Sequence, residues 1–130
     1  MIYGIGVDLT DIERVRKLLA GRRERALQII FRPTELEQVR AVAPLREASY
    51  VAGRLAAKEA VLKALGTGIG PLAFHEIAIT RTDAGQPGVQ MYGRAAHLAE
   101  ELGIRRWHLS ISHERGMAIA FAVAEQDLAA

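Results

Sequence analysis

Residues 47–65, EASYVAGRLAAKEAVLKAL, followed by GTGIG, carry the pattern that most restricts this fold. Apolar residues recur there at helical spacing, and no proline interrupts them. Gly66, Gly68, Gly70 and Pro71 then end the helix. A stretch this apolar must bury itself, so a charged pair within it is costly unless something compensates it. On a wheel of about 100° per residue, Val51, Leu55 and Leu62 form one stripe, with Ala48 and Leu65 near it. Lys58 and Glu59 fall on opposite shoulders of that stripe. Arg54 stands one turn before Lys58, and Lys63 one turn after Glu59. The simplest expectation is an i,i+4 Glu59–Lys63 pair, with an Arg54–Lys58 edge reaching out to water.

The remaining elements are mixed in order. IYGIGVDL, residues 2–9, predicts a buried strand, and Thr10 or Asp11 is placed to cap a helix running to about Leu19. A short helix over 22–30 follows, then another opened by Pro33-Thr34-Glu35 and broken at Pro44. HEIAITRT and GVQMY read as strands around a DAGQP turn. GRAAHLAEELG reads as a helix closed by Gly103. RWHLSISH and MAIAFAVAE read as a hairpin joined at ERG. About five strands and four or five helices give an α+β class, with the helices packed on a largely antiparallel sheet.

The chain has 130 residues, half of them hydrophobic, which suits a single domain over 1–130. It has no cysteine, which excludes a disulfide framework and thiolate metal sites. No basic leader precedes an apolar run, and no run is long enough to span a bilayer. The expected location is cytoplasmic. The net charge is only +2, yet Arg14, Arg16, Lys17, Arg22, Arg23 and Arg25 cluster against Glu24 alone. Such a cluster suits a polyanion, an acidic protein or merely a solvated face. No aromatic residue interleaves it, which argues against stacking on single-stranded nucleic acid.

Two residues outside the helix sharpen the reading. Asp8 interrupts an apolar strand, and His113 ends the LSIS strand. Two carboxylates, Asp8 and Glu59, can hold a hard cation such as Mg²⁺ through oxygen, leaving positions for phosphates. Cations around them would bind the remaining phosphate charge. Together this is the inventory of a phosphoryl-transfer site. GTGIG could add backbone N–H groups, although it is no Walker loop and follows its helix.

With these residues in view, the sequence resembles the small bacterial type of 4′-phosphopantetheinyl transferase, the holo-acyl-carrier-protein synthase family. GIGVDLTDIERV is similar to the family's first strand and its aspartate, GRLAAKEAVLKALGTGIG to its signature helix, and HLSISHERGMAIAFAV to its last hairpin. Arg32 stands where the family has threonine, and Leu55 where it has an aromatic residue.

The resemblance implies the family fold and a Mg²⁺-dependent reaction, with Mn²⁺ as an alternative ion. A serine of apo-acyl carrier protein attacks the β-phosphorus of coenzyme A, and adenosine 3′,5′-bisphosphate leaves, as a step serving fatty acid biosynthesis. By carry-over, Asp8 and Glu59 would hold the metal. Lys63 would neutralise the pyrophosphate or help protonate the leaving group. Arg54, Lys58 and His113, with Arg46 a weaker candidate, would bind coenzyme A phosphates. Gly66, Thr67 and Gly68 would present backbone near the nucleotide. The acceptor of the serine proton stays open between Glu59 and a metal-bound water. Arg14, Arg22 and Arg25 would meet the acidic carrier. The family also implies a homotrimer with active sites between subunits, and no nucleic-acid or membrane partner. The rival reading is a small basic RNA-binding module without catalysis, which accounts for the basic cluster but not for Asp8, Glu59, Lys63 and His113 together.

Overall fold

A computed structural model describes residues 1–68 and 70–127. Ile69, within GTGIG, lies outside them. Strand β1 (Ile2–Asp11) leads into helices α1 (Ile12–Gly21), α2 (Arg23–Ile30) and α3 (Pro33–Arg40). A 3₁₀ turn at Pro44–Arg46 opens the long helix α4 (Glu47–Leu65), and Gly66 ends it. Gly66 takes φ 85°, a left-handed conformation that costs glycine little. Strands β2 (Ile77–Arg81) and β3 (Pro87–Met91), helix α5 (Gly93–Glu101), and strands β4 (Ile104–Glu114) and β5 (Met117–Gln126) complete the chain. Thr10 does not cap α1. Asp11 does, its carboxylate accepting the amides of Glu13 and Arg14.

The class is α+β, with its antiparallel strands in two sheets. β1, β5 and β4 form one antiparallel sheet in that order, and β2 pairs with β3 in a second. The β4–β5 turn is two residues, Arg115 and Gly116, both at positive φ, which the right-handed strand twist favours in short hairpins.

Thirteen of the nineteen residues of α4 are buried, far more than one stripe. The helix is the centre of the molecule rather than a cover for it. On the sheet, Ala118, Ala120, Ala122 and Ala124 of β5 are fully buried. Small side chains on both elements bring the sheet close. The closest approach is at β1, where a methyl group on Gly6 would lie 1.8 Å from the Ala60 carbonyl oxygen and one on Gly4 2.0 Å from that of Ala64. Side chains alternate along a strand, so Gly4, Gly6 and Asp8 share the face on α4. The opposite face carries Ile5, Val7, Leu9 and Phe121, all 47% exposed or more.

Candidate active site

Asp8 reaches the helix because glycine precedes it twice on the same strand face. Its side chain is only 9% exposed and has two partners. The Thr10 hydroxyl donates to Asp8 Oδ2 at 3.0 Å, and Lys63 Nζ donates to Oδ1 at 3.1 Å and to the Val7 carbonyl at 3.0 Å. Lys63 therefore pairs with Asp8 and not with Glu59, correcting the i,i+4 expectation. Glu59 stands beside this pair. Burial pushes its pKa up to about 7; the neighbouring Asp8 carboxylate adds to the shift, and Lys63 and Arg14 oppose it. A carboxyl held protonated by burial and a neighbouring carboxylate marks a place where added positive charge is favoured.

A cleft of about 580 Å³ opens here, lined by Thr10, Arg14, Lys17, Leu55 and Glu59 among others. It runs from Glu59 to the exposed face of α1. Arg16 pairs with Glu13, and Arg23 with Glu47. Arg14, Arg22 and Arg25 are exposed and have no carboxylate partner among the described residues.

Arg54 is a cation of another kind. It is 7% exposed and lies 4.6 Å over the Tyr50 ring, and its Nε finds no hydrogen-bond partner. A buried donor left unmade costs roughly 1–3 kcal/mol, so an anionic ligand would be stabilised here. On the sheet side, His113 Nε2 sits 3.0 Å from the Ser49 carbonyl. Gly53 makes room for it, since a Cβ there would fall 2.7 Å from that nitrogen.

The family model described as the 4′-phosphopantetheinyl transferase superfamily matches residues 4–122. The chain belongs to the 4′-phosphopantetheinyl transferase superfamily. A holo-[acyl-carrier-protein] synthase of Maridesulfovibrio salexigens is 41% identical over 127 residues, covering 97% of this chain and all of the relative. The crystal structure of the holo-[acyl-carrier-protein] synthase of Neisseria meningitidis superposes with TM-score 0.88 at 37% identity, over 97% of this chain and 100% of that one. The synthase of Bacillus anthracis, solved in complex with CoA (3′,5′-ADP), does so with TM-score 0.81 at 34% identity, over 98% of this chain and 99% of that one.

Within this transferase fold, two expectations need correction. Lys58 does not reach water or a phosphate from a helix edge. It is fully buried, and its ammonium donates to Glu35 Oε1 at 2.7 Å, Ile30 O at 2.6 Å and Phe74 O at 3.3 Å. An ammonium has three donors, so none is left for a ligand. Glu35 is held in turn by the amides of Arg32 and Ile79, and the cluster ties α4 to α3 and β2. The second correction concerns the glycine turn. The amides of Gly66 and Thr67 point back to Leu62 O at 3.1 and 3.3 Å, and that of Gly68 lies 3.5 Å from it. They finish the helix instead of facing a phosphate. Arg46 is exposed in the turn before α4. Sequence reasoning missed Thr10 as a partner of Asp8, and it missed Glu35. Only the glycine-glycine-aspartate alternation on β1 hinted at how closely strand and helix approach.

Proposed function

We propose that this protein is a holo-[acyl-carrier-protein] synthase that moves 4′-phosphopantetheine from coenzyme A to a serine of apo-acyl carrier protein. The observation that carries the reading is the meeting of Asp8, Glu59 and Lys63 beside a cleft lined by Glu59, Arg14 and Lys17. The serine Oγ bonds to the β-phosphorus. The bond from that phosphorus to the bridging oxygen breaks, and adenosine 3′,5′-bisphosphate leaves with the electron pair. Lys63 holds charge on the leaving oxygen. Glu59 is an acceptor this chain offers for the serine proton. Arg54, with its unmet donor, and His113 would take phosphates of coenzyme A; the B. anthracis relative was solved in complex with CoA (3′,5′-ADP).

Asp8 and Glu59 suit a hard divalent cation. They offer anionic oxygens at one point, and Mg²⁺ is bound through one or two carboxylates, keeping its other positions for water and substrate phosphates. When bound, such an ion would neutralise pyrophosphate charge.

The assembly we propose is a homotrimer with sites between subunits. Its support here is the exposed apolar sheet face of Ile5, Val7, Leu9 and Phe121. A cytoplasmic location belongs to the same proposal; no described helix is long and apolar enough to cross a membrane. Incubation with coenzyme A, Mg²⁺ and an apo-carrier, followed by the intact mass of the carrier, tests the activity. A gain of one phosphopantetheine is expected. No gain with several carriers, together with salt-sensitive RNA binding, would overturn it.

A further inference from the structure

Lys63 already holds one oxygen of the carboxylate that would take a metal ion. Its Nζ lies 3.1 Å from Asp8 Oδ1 and 3.0 Å from Val7 O, while the Thr10 hydroxyl fills one side of Oδ2. Both oxygens of Asp8 thus have donors already. Those donors are unequal. Thr10 is neutral and leaves lone pairs free on Oδ2. Lys63 carries a full charge that would repel a cation placed on the same carboxylate. Lys63 is also the partner that can leave: its side chain is 53% exposed, and it rides on a flexible four-carbon stem. Nothing in the core is disturbed when it swings away. Lys58, fully buried on the same helix with three partners, has no such freedom.

We propose that Lys63 is a displaceable counter-ion. Without metal it neutralises Asp8 and holds the site together. When a divalent cation binds, Lys63 gives up Asp8 Oδ1, and its freed ammonium becomes available to the pyrophosphate. Metal loading and delivery of Lys63 to the substrate are then one coupled event. By linkage, what strengthens one strengthens the other. The inference rests on the metal-site reading above and adds the order of events at that site.

The test is Mn²⁺ binding to the full chain at pH 8, without coenzyme A or carrier, read from the electron paramagnetic resonance signal of free Mn²⁺. Lys63→Met should bind Mn²⁺ about tenfold more tightly than the parent, within the roughly 5–150-fold range of coupled sites. Lys63→Arg, which keeps the charge, should stay near the parent. Arg14→Met removes a cation that also acts on Glu59 but makes no bond to Asp8; it should tighten binding far less. Equal tightening in Arg14→Met and Lys63→Met would mean a diffuse field and overturn the proposal. Unchanged or weaker binding in Lys63→Met would overturn it too, as would binding undetectable in both Lys63→Met and the parent. Binding that appears only in Lys63→Met would support it. Asp8→Asn separates the two layers. If Asp8→Asn binds Mn²⁺ like the parent, the metal site itself is wrong. If it loses binding while Lys63→Met gains none, only the counter-ion role fails.

Discussion

Lys58 and Lys63 stand on one helix, and each is paired with a carboxylate from another element. Lys58 is sealed, with Glu35 and two carbonyls around its ammonium and no exposure. Lys63 is half in solvent, holding Asp8 from outside. The same residue type in the same periodic stretch thus does two jobs. A charge with every donor satisfied and no path to water fixes structure, whereas one that can exchange its partner for water is available for chemistry. The carboxylates divide in the same way. Glu35 is held by two backbone amides and an ammonium. Glu59 has burial and a like charge as its main influences, and its pKa rises to about 7.

The largest expected effect lies on the outer pair's side. Asp8→Ala or Glu59→Ala should lower transfer by more than the ~100-fold that marks loss of an outer-shell partner to a metal ligand, with the fold intact. Carrier mass against time, alongside far-ultraviolet circular dichroism, measures both. Near-parent turnover in both variants at limiting Mg²⁺ would break the comparison at its functional end.

At the sealed end the loss should appear in stability. Lys58→Met leaves Glu35 buried without its cation, a change that costs roughly 3–5 kcal/mol. Lys63→Met removes a half-exposed pair and should cost under about 1 kcal/mol. Urea unfolding of the two variants compares them directly, and equal losses would mean that exposure does not separate the lysines. Gly6→Ala should fall between them. Its methyl group meets the Ala60 carbonyl, overpacking that costs typically 1–3 kcal/mol or somewhat more. It should also push Asp8 off α4 and weaken Mn²⁺ binding, which Lys58→Met should not do.

How much of this was legible in the sequence follows the same division. The bounds of α4 were readable at 47–65, because the apolar spacing is unbroken and Gly66 stops it. The β4–β5 hairpin was readable from its alternation and its Arg-Gly turn. The partner of Lys58 was not. A helical wheel gives the angle of a side chain but says nothing of what covers it, and Glu35 lies 23 residues away. Lys63 was set against Glu59 for the same reason, since helical spacing is local and Asp8 is 55 residues distant. The glycine turn promised free amides, yet a left-handed helix end spends them on its own carbonyls. The exposed face of β1 was read as buried because the sequence shows apolarity on both faces alike, and only the structure shows which face α4 covers.

A smaller effect is the pH dependence of the metal-free protein. Glu59 has a folded pKa raised to about 7 from 4.5, so between those values the folded state holds a proton that the unfolded state has lost. Stability should therefore fall as pH rises through that window and level off above it. Glu59→Gln should flatten the curve. Melting temperatures from pH 4.5 to 8 in the presence of a chelator measure this, and a parent curve that rises with pH across the window would contradict the assignment.

The division between the two lysines is tested most directly by the kinetics of transfer in two variants, measured at a temperature where both are folded. One is the double change Lys58→Met/Glu35→Gln, which removes both charges of the sealed pair. The other is Lys63→Met. The double variant should transfer phosphopantetheine with kcat near that of the parent, despite lower stability. Lys63→Met, within about 1 kcal/mol of the parent's stability, should lose kcat. A folded double variant that is inactive beside a fully active Lys63→Met would show that the chemistry belongs to the buried lysine.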